Sequence, residues 1–150
     1  IECLPSYDLV TGSRYLKGSN VSHKSISRDL LSKIFIVLFV ILFKSKLTDP
    51  QFSFKIYKNT YFLDIAKYLL SRSDGMKSTE MMLYHEAYGY RIKEISIDYS
   101  FVESDRNLPK GKIFYTLKTA TLGLLDVWKS CKRKYKDNNF KKKVTRFNFL

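Results

Sequence analysis

From Leu30 to Phe43 the chain is apolar at almost every position, with Ser32 and Lys33 as the early exceptions. As a helix, a run of this length reaches roughly 21 Å, against about 30 Å for the hydrocarbon core of a bilayer. It therefore predicts a helix buried in a core or lying in a membrane interface, not one that crosses. Ile34, Ile36, Val37, Val40 and Ile41 are β-branched, which leaves a buried strand open over part of the run. Ser25 or Ser27 serves as the N-cap of a helix starting near Arg28, and Lys44 and Lys46 end it.

The flanking segments show clear periodicities. Tyr7 to Val10 reads as a short strand running into Thr11-Gly12-Ser13-Arg14, where Gly12 permits a sharp turn. Residues 16–24 are polar and contain glycine, which predicts a loop with His23 as a solvent-exposed histidine. Asp49 precedes Pro50, a position biased away from helix. Phe52 and Phe54 then alternate with Gln51, Ser53 and Lys55, which predicts a strand with one apolar face. Lys58-Asn59-Thr60 caps a helix through about Leu70, with Tyr61, Ile65, Tyr68 and Leu69 at helical spacing. Asp74-Gly75 marks a turn. A helix follows from about Ser78 to Tyr88, stopped by Gly89. It turns Met81, Met82, Leu83 and Ala87 to the core and carries Glu80, Glu86 and a partly buried structural His85. Ile95, Ile97, Tyr99 and Phe101 alternate with polar residues as a half-buried strand. After a polar loop at residues 103–111, a helix starts near Ile113, with Leu117, Thr121, Leu124, Trp128, Cys131 and Tyr135 on one face. Helices and strands in this order predict a mixed α/β domain.

Composition adds a partner class. The 150 residues make one domain, and 45% hydrophobic content excludes a disordered tail. The net charge of +13 calls for an anionic partner: nucleic acid, anionic lipid headgroups or a phosphorylated small molecule. No nucleic-acid reading motif is present, nor a P-loop, G-x-G-x-x-G, H-E-x-x-H or Asp-x-Asp. Cys3 and Cys131 stand far apart, with neither metal-ligand spacing nor a disulfide framework, which points to a reducing compartment. Residues 129–150 form a basic tail containing Lys132-Arg133-Lys134, Lys141-Lys142-Lys143 and Arg146. Such a tail behind an amphipathic helix rests on an anionic membrane at about 1 kcal/mol per cation, or is simply solvated.

Candidate chemistry gathers around the Asp-Pro loop. Asp49, Gln51 and Lys55 place a carboxylate, an amide and a cation on one short segment beside the apolar helix. That suits a ligand both charged and apolar; the plainer reading is a polar surface strand. Arg14 follows a glycine turn, and its planar fork suits a phosphate.

These pieces, in this order, resemble a known family. They are Val10-Thr11-Gly12-Ser13-Arg14-Tyr15, Ser27-Arg28-Asp29-Leu30-Leu31-Ser32, residues 49–55, Glu80, residues 89–99, and Ser104-Asp105-Arg106. Together they look like the second half of a family-2 glycosyltransferase, similar to the dolichyl- and polyprenyl-phosphate hexosyltransferases, over roughly residues 7–128. The resemblance implies part of a GT-A (Rossmann-like) fold: a mixed sheet with flanking helices, residues 1–128 forming its acceptor-side half. It implies transfer of a hexose from a nucleotide sugar to a lipid phosphate or glycan acceptor, peripherally, at the cytoplasmic face of a membrane. It assigns Arg14, Arg28 and Arg106 to phosphate, Asp49 and Gln51 to the catalytic region, and Lys55 and Glu80 to substrate. Arg14, Arg28 and Arg106 are expected to converge on one cleft roofed by residues 49–55. Ser53, Ser96 and Ile36 stand where the family has glycine, proline and asparagine. The nucleotide-binding half, with ligands for a divalent Mg or Mn ion, is expected upstream of Ile1, leaving this chain inactive alone. The competing expectation is a non-catalytic basic module for anionic lipid or nucleic acid.

Overall fold

The computed structural model describes residues 6–22, 26–69, 74–100 and 112–136. Strand β1 (Leu9–Ser13) is buried along its whole length. A buried strand must satisfy its backbone groups on both edges. On one edge it pairs antiparallel with β3 (Lys55–Tyr57), Val10 lying opposite Ile56. On the other it pairs parallel with β4 (Ile92–Ser96), from Leu9 opposite Ile92 to Ser13 opposite Ser96. The sheet is therefore mixed, in the order β3-β1-β4. Asp8 fastens its entrance: its carboxylate accepts the Arg91 N–H at 2.9 Å and meets Lys58 Nζ at 3.4 Å.

Beyond Ser13 the parallel ladder breaks and then resumes as β2 (Asn20–Ser22) beside β5 (Asp98–Ser100). One chain crosses the break through Ile97 alone, the other through residues 14–19. Ser19 closes this excursion, donating from Oγ to the Ser13 carbonyl at 2.6 Å and accepting the Ile97 N–H at 3.2 Å. Like a β-bulge, though longer, this excursion re-aims side chains, and it carries Arg14 and Tyr15.

The helices are α1 (Ile26–Phe43), α2 (Asn59–Ala66), α3 (Asp74–Ala87) and α4 (Lys112–Tyr135). The apolar run is helical throughout, with no strand segment. Phe35, Phe39 and Phe43 recur every fourth residue and are buried, Phe35 stacked on Phe39 and Phe39 tilted against Phe43. They share one core with Leu9, Ile65, Met82, Tyr84, Leu124, Val127 and Cys131. The apolar residues expected on α3 and two on α4, Leu124 and Cys131, are in that core. Gly89 stops α3 at φ +75°: its N–H donates to Glu86 and that of Tyr90 to His85, the paired bonds of a Schellman cap.

Several local expectations differ from the structure. Helix α1 starts at Ile26, so Ser27 lies inside it, and Lys58 makes no side-chain cap bond to α2. The strand expected from Ile95 is split at Ile97, and His85 is fully buried. Phe52 and Phe54 alternate but lie before β3, because Phe52 N–H closes a turn onto the Asp49 carbonyl at 3.3 Å. Asp74-Gly75 opens α3 instead of forming a turn. Helix α2 ends at Ala66, where the Tyr68 and Leu69 N–H groups bond three residues back, to Ile65 and Ala66. The loop expected at 16–24 contains β2, whose backbone partner in β5 is 78 residues away in sequence. His23, Phe101, the 103–111 loop, Arg106 and the tail from residue 137 lie outside the described residues. Among the described residues, no helix is long and apolar enough to cross a membrane.

Candidate functional site

The connection from α1 to β3 is held by carboxylates that accept its backbone amides. Glu86 takes the Ser45 hydroxyl at 2.5 Å and the Lys46 N–H at 2.8 Å. Glu94, on β4, takes the Thr48 N–H on both oxygens at 3.0 Å and the Asp49 N–H at 3.1 Å. The Ser13 and Thr48 hydroxyls meet at 2.6 Å. A loop that lacks ladder partners is thus tied to β1, α3 and β4.

This tethering seats the wholly buried Asp49 against Arg14. Arg14 Nε donates to Asp49 Oδ2 at 2.6 Å, Nη2 to Oδ1 at 2.8 Å, and the Arg14 backbone N–H to Oδ2 at 3.1 Å. The pair is a two-point fork on a carboxylate, the strongest geometry available to arginine. Burial by itself would lower the Arg14 pKa, but the hydrogen bonds and charge of Asp49 outweigh it and raise the pKa. The guanidinium carbon also lies 5.7 Å from the ring centres of Tyr15 and Phe52. Gly12 makes room for that Phe52 ring, since a Cβ there would fall 2.6 Å from its edge.

Lys55 completes the group. Its Nζ donates to the Phe52 carbonyl. Burial lowers its pKa to about 8, with the charge of Asp49 opposing and that of Arg14 adding to the fall. Asp49, Arg14 and Lys55, all singled out from the sequence, are thus brought into one electrostatically coupled cluster.

Beside it opens a cleft of about 400 Å³ lined by Arg14, Tyr15, Val21, Ile26, Asp29 and Lys33. Tyr15 and Lys33 also line a neighbouring groove of about 500 Å³, whose walls include Ile36, Val37, Val40 and Leu47. One end carries Arg14 and Lys33, each paired with a carboxylate, and the other is apolar. Nothing in the local sequence assigns Lys33 or Tyr15 a role of its own. Lys33 was legible only as a lone cation inside an apolar run, four residues after Asp29, with which it pairs at 2.7 Å. A further cleft of about 580 Å³ is lined by Lys46, Tyr90, Glu86 and Glu94, where both carboxylates already hold the loop.

The other candidates lie elsewhere. Gln51 is exposed on the turn. Arg28 is half-buried, and helical geometry sets it on the side of α1 opposite Ile26 and Lys33, away from this cleft. Glu80 is buried in the core, where its Oε1 accepts the Tyr84 hydroxyl at 2.7 Å and the Ser130 hydroxyl at 2.5 Å. It ties α3 to α4 and lines neither cleft.

The described residues do not fit a divalent ion. No group of three histidine, cysteine or acidic side chains among them is placed to hold one, and Asp49 gives both oxygens to Arg14. Set beside known proteins, the chain matches no family model, no curated protein and no solved structure.

Proposed function

We propose that this chain supplies the acceptor side of a family-2, GT-A type glycosyltransferase that moves a hexose from a nucleotide sugar to a polyprenyl or dolichyl phosphate at a membrane face. One observation carries the reading: Arg14, Lys55 and Asp49 cluster beside a cleft that continues into an apolar groove on α1. A phosphate with an apolar tail matches both ends of that path.

The chemistry follows from the charges. In the transfer, an acceptor oxygen forms a bond to the anomeric carbon while the bond from that carbon to the nucleotide diphosphate breaks. Negative charge accumulates on the leaving group, and preorganised cations in a water-poor cleft stabilise it. Arg14 and Lys55 are such cations. Asp49 already accepts three hydrogen bonds from Arg14, so its role is to orient the guanidinium. A hydroxyl acceptor would need a free base to take its proton. An ionised phosphate needs none, and the occupied Asp49 therefore favours a lipid phosphate over a glycan hydroxyl. No step here passes through a metal ion.

The test is an assay of the longest form of the protein its gene encodes, with UDP- and GDP-hexoses as donors and polyprenyl and dolichyl phosphates as acceptors. The expected product is a lipid-linked hexose. Arg14→Ala and Lys55→Ala should each lower kcat by about 100-fold, with folding checked by circular dichroism. Transfer to no acceptor, joined to steeply salt-dependent lipid or nucleic-acid binding that Arg14→Ala leaves intact, would replace the transferase by a basic binding module.

A further inference from the structure

Helix α1 is apolar on both sides, yet among the described residues only one side is covered. Its core face is Phe35, Phe39 and Phe43. At 100° per residue, Ile26, Leu30, Val37, Val40 and Ile41 fall within one stripe on the opposite side, and they are 39% to 88% exposed. The stripe extends roughly 22 Å along the helix axis. Lys33 lies within it and Lys44 at its end, both exposed, with Lys46 just beyond. The helix's lone acid, Asp29, is paired with Lys33.

We infer that this stripe is a docking surface for the interface of an anionic bilayer. Ile26, Lys33, Val37 and Val40 of the stripe also line the cleft and groove of the proposed acceptor site, but vesicle binding and sugar transfer are separate measurements, so either reading can fail alone. Two arguments choose the occupant. A soluble surface does not leave five large aliphatic side chains in line without a partner, and the cations within and beyond the stripe are long enough to reach lipid headgroups while their stems lie among apolar chains. A second copy of the chain is disfavoured, because each carries a net charge of +13 and the facing lysines would repel. Docked this way, α1 lies in the plane of the membrane with its outer face among the acyl chains. The core face stays where it is, so binding needs no refolding.

The experiment is co-sedimentation of the 150-residue chain with vesicles of phosphatidylcholine alone and with 30% phosphatidylglycerol, over a salt series. The variants are Val37→Asp/Ile41→Asp on the stripe and Leu122→Asp/Leu125→Asp on the exposed side of α4. Circular dichroism and sedimentation velocity check the fold and the oligomeric state. The wild type should bind the anionic vesicles and keep part of that binding at high salt. The α1 variant should bind at least about tenfold more weakly and the α4 variant nearly as well as wild type. Equal binding by wild type and the α1 variant overturns the inference, as does loss confined to the α4 variant. A wild-type dimer that the α1 variant dissolves assigns the stripe to a second copy and also overturns it. If the α1 variant loses its helical signal, Val37→Ser/Ile41→Ser takes its place, and wild-type binding by that variant overturns the inference too.

Discussion

Glu80 on α3 and Ser130 on α4 meet at 2.5 Å inside the core, the Ser130 hydroxyl donating to Glu80 Oε1, which the Tyr84 hydroxyl also reaches. A buried carboxylate survives there because donors satisfy it. Glu80→Ala should strand both hydroxyls and open a cavity, lowering stability by about 2–4 kcal/mol in chemical denaturation. Glu80→Gln retains an acceptor oxygen and should cost much less. Neither should change anion affinity in the folded protein; a large change in affinity with unchanged stability would return Glu80 to the binding site.

The Arg14–Asp49 pair lends itself to a double-mutant cycle. Its side chains are 15% and 1% exposed, so solvent screens the interaction little. Either single change to alanine leaves a buried charge without its partner and should cost about 3–5 kcal/mol. The double variant should be little worse than either single one, giving a coupling of about 3–5 kcal/mol. Strict additivity of the two changes would show that the fork contributes nothing beyond its separate contacts.

Lys55 should make anion binding depend on pH. Its pKa is lowered to about 8, first by burial, so it is cationic below that value and neutral above it. Sulfate, which does not titrate in this range, should bind more weakly as pH rises from 7 to 9.5, by several-fold in calorimetry. Lys55→Arg should flatten the profile. Fold stability runs the other way: the cost of holding Lys55 charged is present below pH 8 and is relieved as pH rises towards the ordinary value of 10.5. An unchanged profile in Lys55→Arg would remove Lys55 from the anion site.

His85 sets a second pH dependence. Its Nδ1 faces the Met81 carbonyl at 2.8 Å, its Nε2 has no hydrogen-bond partner among the described residues, and the rings of Tyr57 and Tyr90 lie 5.0 and 5.5 Å away. Burial lowers its pKa from 6.5 to about 4. The unfolded chain therefore binds a proton that the folded one refuses, and stability falls as pH drops through this window, by about 3 kcal/mol in all. His85→Phe should move the acid midpoint of unfolding to lower pH. The same midpoint in both proteins would place the acid sensitivity elsewhere.

Local sequence determined most of the helical elements. The Met81, Met82, Leu83 and Ala87 face of α3, the Leu124 and Cys131 face of α4 and the Gly89 stop were legible because each depends on residues a few places apart in the chain. The proximity of Asp49 and Lys55 was legible too, since both lie on one short segment. What only the tertiary structure decided were relationships across long stretches of chain. Arg14 meets Asp49 because Glu94, 45 residues further on, holds the Asp49 amide. Residues 20–22 become a strand because β5 supplies their missing backbone partners. Glu80 lies in the core because Ser130, 50 residues away, satisfies it there. Residue periodicity reports which face of an element is apolar, not what covers that face. α1 therefore read as apolar all round, and only packing separated the side that meets the core from the side left open.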